Sequence, residues 1–83
     1  MKIFYTAKAE RDLSSFPLSM QKRVAVKMSL YASQPDPLRF AKALVIYNVY
    51  RFRVGDLRVI FEVQNNTIFV LKIVKRDKAY RDF

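Results

Sequence analysis

Arg51, Arg53 and Arg58 are the residues of this sequence whose spacing best suits shared chemistry. Arg51 and Arg53 stand two apart in YRFRV, so in an extended strand both side chains leave one face. Arg58 follows across Gly55-Asp56, a two-residue hairpin turn of the glycine-first kind, which returns it to the same face on the neighbouring strand. Three guanidinium groups in one small patch repel each other. A phosphate relieves that repulsion, because its oxygens match the guanidinium fork in bidentate fashion. The competing reading is three independent surface arginines, one of them paired with Glu62. Farther on, KRDKAYR (Lys75–Arg81) carries Lys75, Arg76, Lys78, Tyr80 and Arg81 just beyond the sheet. On composition alone that is an ordinary basic tail, with Tyr80 as its core anchor.

What is missing narrows the chemistry. The sequence has no histidine and no cysteine. A structural zinc site, a disulfide and a triad built on a histidine base are therefore all excluded, and neither metal nor cofactor is expected. The absence of cysteine fits a reducing cytosol. Sixteen Lys and Arg against seven Asp and Glu give a net charge of +9, which asks for an anionic partner. Nucleic acid is the first candidate and an acidic protein the second. No helix joins a basic face to a strongly apolar one, so a membrane surface is disfavoured. No apolar run approaches the ~18 residues that cross a bilayer, and MKIFYTAKAERD lacks the apolar core of a signal peptide. The expectation is a cytoplasmic protein.

These positions need elements to hold them. Eighty-three residues make one domain, 1–83, with 52% hydrophobic content to build a core. MKIFY reads as a first strand, with Ile3 and Tyr5 on one face and Lys2 and Phe4 on the other. Thr6 caps a short helix from Ala7 to Ser14, with Glu10 in its first turn and Leu13 as its clearest core residue. Pro17 suits the first turn of a second helix reaching about Ala32, where Met20, Val24, Met28 and Tyr31 form one stripe. Lys22, Arg23 and Lys27 occupy its other, solvated faces. SQPDP stops that helix. Leu38–Ile46 reads either as a short helix or as a connection anchoring Leu44 and Ile46 in the core. A loop or single turn running into a strand near Tyr47 is favoured.

Three alternating strands follow. In Tyr47–Val54, residues Tyr50, Phe52 and Val54 face inward and Val49, Arg51 and Arg53 outward. In Leu57–Val63, residues Leu57, Val59, Phe61 and Val63 face inward and Arg58, Ile60 and Glu62 outward. Asn65-Asn66 makes the second turn, since asparagine tolerates positive φ. In Thr67–Val74, Phe69, Leu71 and Ile73 are expected inward, Val70 and Lys72 outward. The fold class is α+β: two N-terminal helices on one face of a small, mainly antiparallel four-stranded sheet in the order β-α-α-β-β-β, with a short basic C-terminal tail.

The layout of a strand, two helices, YRFRVGDLRVIFEV, a turn and FVLKIVKRDKAYR resembles the RelE/ParE superfamily of bacterial and archaeal toxins over nearly the whole chain. Its most specific parts are the hairpin with an arginine just after the turn (VGDLRVIFEV) and the basic dipeptide and tyrosine of KRDKAY. The resemblance implies a microbial-ribonuclease-type fold and a toxin neutralised by a cognate antitoxin, here one with an acidic, helix-forming segment. Its RelE branch implies metal-independent cleavage of mRNA in the ribosomal A site by 2′-hydroxyl attack. Its ParE branch implies inhibition of DNA gyrase, and an inactive basic binding protein is the third option. Carried over by position, Arg51 and Arg53 contact or activate the 2′-hydroxyl, Arg58 steadies the scissile phosphate, and Arg76 serves the leaving group or transition state. Tyr80 orients or stacks on the substrate, and Lys75 stands where many members have histidine or lysine. Arg51, Arg53, Lys72, Lys78 and Arg81 would bind RNA. The best-studied nuclease has lysines where this chain has Arg51 and Arg53. Arginine stays protonated throughout the physiological pH range and is a poor base, which leaves Lys75, Tyr80, a water or positioning alone.

Overall fold

Alternation of apolar and polar residues along the second half of the chain sets the architecture, because a strand with one apolar face must bury it. The computed structural model describes residues 1–78; Tyr80 and Arg81 lie outside the described residues. The elements run β1 (Lys2–Tyr5), α1 (Ala7–Ser14), α2 (Leu18–Ala32), a 3-10 turn (Pro37–Phe40), β2 (Lys42–Ala43), β3 (Val49–Val54), β4 (Leu57–Gln64), β5 (Thr67–Lys75) and a second 3-10 turn (Arg76–Lys78). The sheet order is β1-β5-β4-β3-β2, with β1 parallel to β5 and the other pairs antiparallel. The sheet therefore has five strands rather than four. The extra one is only Lys42–Ala43, too short to show an alternating pattern.

Both helices form as their end residues dictate. The Thr6 hydroxyl accepts the Ala9 N–H at 3.2 Å and caps α1. Pro17 sits at the cap of α2, one place earlier than a first-turn residue. Val24 and Met28 of α2 and Ala9 of α1 are fully buried against Phe52, Val59, Phe61, Ile68 and Val70. Through this core runs a stack of five rings. Phe40–Tyr31, Tyr31–Phe52, Phe52–Phe61 and Phe61–Tyr50 have centroids 5.7, 4.4, 4.4 and 5.7 Å apart.

The two hairpin turns follow their residues. Gly55 takes φ 59°, where a side chain would be strained, and Asn65 and Asn66 take 49° and 59°. The loop before β3 is different. Leu44 N–H reaches Val49 C=O at 2.9 Å and Val49 N–H reaches Ile46 C=O at 3.2 Å, so Tyr47 lies at a loop tip and not in a strand. Asn48 closes that loop at φ 61°, and its amide donates to Val63 C=O at 2.7 Å. Ile46 is 42% exposed, so it does not anchor the core.

The alternation also fails once, in β5. Ile60 pairs with Lys72 but Phe61 pairs with Val70, so Leu71 is an extra residue, a β-bulge. An inserted residue reverses side-chain parity. Before the bulge Ile68 and Val70 enter the core; after it Ile73 does. Phe69 and Leu71 are thus not core residues and Val70 does not point outward. Phe69 packs instead on Phe4, 5.7 Å away, on the face turned from the helices. Helix α1 fixes the bulge. Thr6 Oγ1 donates to Val70 C=O at 2.8 Å, and Asp12 Oδ2 accepts the Ile73 N–H at 3.0 Å.

Candidate nucleic-acid interface

The face of the sheet turned from the helices carries two rows of side chains. Along the first, Lys42 of β2 pairs with Arg51 of β3, Arg51 with Ile60 of β4, and Ile60 with Lys72 of β5. Along the second, Arg53 stands opposite Arg58, and Arg58 opposite Val74. Neighbouring strands lie about 4.8 Å apart. Five cations therefore share one small surface, with apolar Ile60 and Val74 among them. The bulge at Leu71 is what keeps Lys72 on this face together with Phe69 from before it.

Like charges directly across a strand pair are destabilising, so nothing in the sheet itself explains Arg53 opposite Arg58. The cluster is also less open than the alternation predicts. Arg51, Arg58 and Lys72 are only 6%, 5% and 7% exposed, whereas Arg53 is exposed. Arg58 is folded over its own hairpin, and its Nη1 donates to Gly55 C=O at 3.1 Å and Leu57 C=O at 3.0 Å. These contacts fix the direction of the guanidinium.

The basic tail begins at the same turn. Arg76 N–H donates to Asp56 C=O at 2.8 Å, which brings the second 3-10 turn beside the β3–β4 hairpin. Lys75, Arg76 and Lys78 are all exposed there. Arg53, Arg58 and Arg76 are thus gathered around Gly55–Leu57. Arg51 and Lys72 belong to the adjoining row, one pleat farther along the strands. Tyr80 and Arg81 fall outside the described residues.

Two cations were invisible to sequence reasoning. Lys42 is brought in by β2, and Arg39 by the turn before it; together with Phe40, Arg51 and Arg53 they line a depression at the edge of β3. Their signal lay in LRFAKALVI, but a two-residue strand has no readable periodicity.

Among the described residues no three His, Cys, Asp or Glu side chains come together as a metal ion requires. Nor, among the described residues, is any helix long and apolar enough to cross a membrane. The cluster can bind phosphates in bidentate fashion and stabilise negative charge developing on them. Its guanidinium groups cannot accept a proton at neutral pH.

Comparison with known proteins bears on the family and the fold. The family model described as the ParE toxin of the type II toxin–antitoxin system parDE matches residues 3–80. Among solved structures, RelE in the RelB–RelE antitoxin–toxin complex of Methanococcus jannaschii superposes with TM-score 0.74 at 23% identity, over 96% of this chain and 98% of that one. The archaeal RelE–RelB complex of Pyrococcus horikoshii OT3 gives 0.72 at 25% identity, over 94% and 97%. A chain of the chromosomal ParDE system of Pseudomonas aeruginosa gives 0.73 at 17%, over 90% and 95%. The first and third of these likenesses establish the fold alone. Among curated protein sequences none matches significantly.

Proposed function

The chain belongs to the ParE toxin family of type II toxin–antitoxin systems, and from that premise we propose that it is a ribosome-dependent mRNA endonuclease held in check by a cognate antitoxin. The observation that carries the reading is the Arg53–Arg58 pair, with Arg76 tied to the same hairpin turn. A scissile phosphate seated over Arg58 places the attacking and departing oxygens within reach of the flanking guanidinium groups. The 2′-hydroxyl oxygen bonds to phosphorus, the bond from phosphorus to the 5′-oxygen breaks, and the products are a 2′,3′-cyclic phosphate and a 5′-hydroxyl. Arg51 and Arg53 favour the attacking alkoxide. Arg58 holds the non-bridging oxygens, Arg76 offsets the charge on the leaving oxygen, and water delivers the proton that completes the 5′-hydroxyl. The hydroxyl proton leaves to Lys75, Tyr80 or water, because no arginine here takes it. Electrostatic stabilisation of the crowded phosphorus is thus assigned most of the rate. Lys72, Lys78 and Arg81 hold the flanking strand.

The related structures are toxin–antitoxin complexes, which supports an antitoxin partner here. The face it must silence is cationic, so the fitting segment is acidic and helix-forming. A second reading, inhibition of DNA gyrase, draws on the ParE description of the matching family.

Expression of the chain without its antitoxin, followed by primer extension on translated mRNA, separates the two. The nuclease reading expects cuts at A-site codons. It also expects Arg58→Ala, Arg76→Ala and Tyr80→Phe each to relieve growth arrest, with kcat lowered ~100-fold or more for loss of Arg58. Absence of cuts together with gyrase-dependent DNA breaks would move the function to the second reading.

A further inference from the structure

The stack of aromatic rings that crosses the core ends in the open. Phe40 is its last ring, with its centroid 5.7 Å from that of Tyr31 at an interplanar angle of 25°, yet it is 48% exposed. Tyr31 is itself held twice, by stacking on Phe52 at 4.4 Å and by its hydroxyl, which donates to Arg53 C=O at 3.1 Å. Phe40 stands in a 3-10 turn that begins at buried Pro37 and closes through Ala41 N–H to Leu38 C=O at 3.1 Å. The ring is therefore fixed, backed by aromatic contact on one side and open on another. Beside it lies a depression of about 340 Å³, lined by Tyr31, Arg39, Phe40, Lys42, Arg51 and Arg53. With Ala41 the lining comes to seven residues, of which four are cations and none is a carboxylate.

We propose that this notch is a nucleotide subsite: Phe40 stacks one unpaired RNA base, and Arg39, Lys42 and Arg53 hold its phosphate. An acidic peptide would use the cations and leave the ring idle, whereas a nucleotide uses both, since every base has a π-face and every linkage an anion. Arg51 and Arg53 belong to both the notch and the sheet face, so a strand passing through the notch runs onto the face beside the scissile phosphate. The inference rests on reading that face as an RNA surface and extends it around the edge of β3. It assigns Phe40 to positioning the nucleotide next to the one that is cut.

The chain contains no tryptophan, so Phe40→Trp introduces a single indole reporter at the notch. Titration of the full chain with hexauridylate, without ribosomes, is expected to quench that fluorescence to saturation. Inorganic polyphosphate is expected to compete for the cations and leave the emission unchanged. In parallel, Phe40→Leu keeps an apolar side chain without a π-face. It is expected to weaken hexauridylate binding about tenfold, the value of one stacked base, with polyphosphate binding unaltered and a single cooperative melting transition retained. Equal effects of Phe40→Leu on RNA and polyphosphate, or no quenching by RNA, would overturn the subsite. Quenching by oligoglutamate to the same extent would also overturn it, and would make the notch a seat for an acidic protein. Because these readouts involve no cleavage, quenching in a chain that makes no A-site cuts leaves the subsite standing and removes only the nuclease reading. A-site cuts without quenching do the reverse.

Discussion

Arg58 is the residue around which charge, burial and geometry meet. It is 5% exposed, faces Arg53 across the strand pair, and spends hydrogen bonds on the carbonyls of its own turn. A side chain so arranged presents a fixed charge, which is the property an electrostatic catalyst needs and a solubilising surface residue does not. Tyr5 shows the other use of burial at this scale. It is half-buried beneath the helices, and loss of solvent pushes its phenol above the ordinary 10.0. The folded state thus keeps the phenol protonated at a pH where the unfolded chain has begun to release that proton. Ionisation then favours the unfolded chain, so this stability is complete below about pH 10 and is lost above it. Melting curves of wild type and Tyr5→Phe are expected to differ by a constant amount up to about pH 9. Above pH 10 the wild type should fall behind, and curves that stay parallel to pH 11 would show that Tyr5 titrates normally.

At the scale of elements, the link between α1 and β5 decides which side chains reach the basic face. Asp12 closes the bulge by accepting the Ile73 N–H, and it also pairs with Lys8 at 2.9 Å. The two contacts separate by mutation. Lys8→Ala removes an exposed i,i+4 pair and should cost no more than about 0.5 kcal/mol. Asp12→Ala also strands a backbone donor in a partly buried place and should cost about 1–3 kcal/mol. Urea denaturation of the two variants measures the difference, and equal losses would mean that Asp12 does not hold the bulge. The bulge is also where the sequence could not be read. Ile68, Phe69, Val70 and Leu71 are all apolar, so nothing in the letters marks where the register breaks, and the break comes from a helix capped 64 residues away by Thr6. Local patterns were legible wherever neighbours along the chain decide the outcome: the Thr6 cap, the Val24–Met28 stripe, the glycine-first turn, the common face of Arg51, Arg53 and Arg58. Lys42–Ala43 was not legible, because two residues become a strand only when β3 is there to pair with.

For the molecule as a whole, one charge distribution should produce two opposite responses to salt. The net charge is +9 on 83 residues, and five of the cations lie on one sheet face. A domain this small is only marginally stable, and self-repulsion of like charges lowers that margin. Screening reaches to about 10 Å at 0.1 M salt and to about 3 Å at 1 M, so added salt weakens repulsion between neighbouring strands. The Lys8–Asp12 pair is an exposed one, so its own weakening by salt costs little. The melting temperature is therefore expected to rise between roughly 0.05 and 0.5 M sodium chloride; chloride is preferred to sulfate, which would occupy phosphate positions. Binding of single-stranded RNA depends on the same cations and must move the other way. Each phosphate neutralised contributes about −0.7 to the slope of log K against log salt, so engagement of the whole face gives a slope on the order of −3. Thermal melts and RNA anisotropy on one salt series test both halves. A melting temperature that falls with salt would mean that attraction rather than repulsion dominates among the charges of the fold, and an RNA affinity indifferent to salt would mean that the face does not engage phosphates.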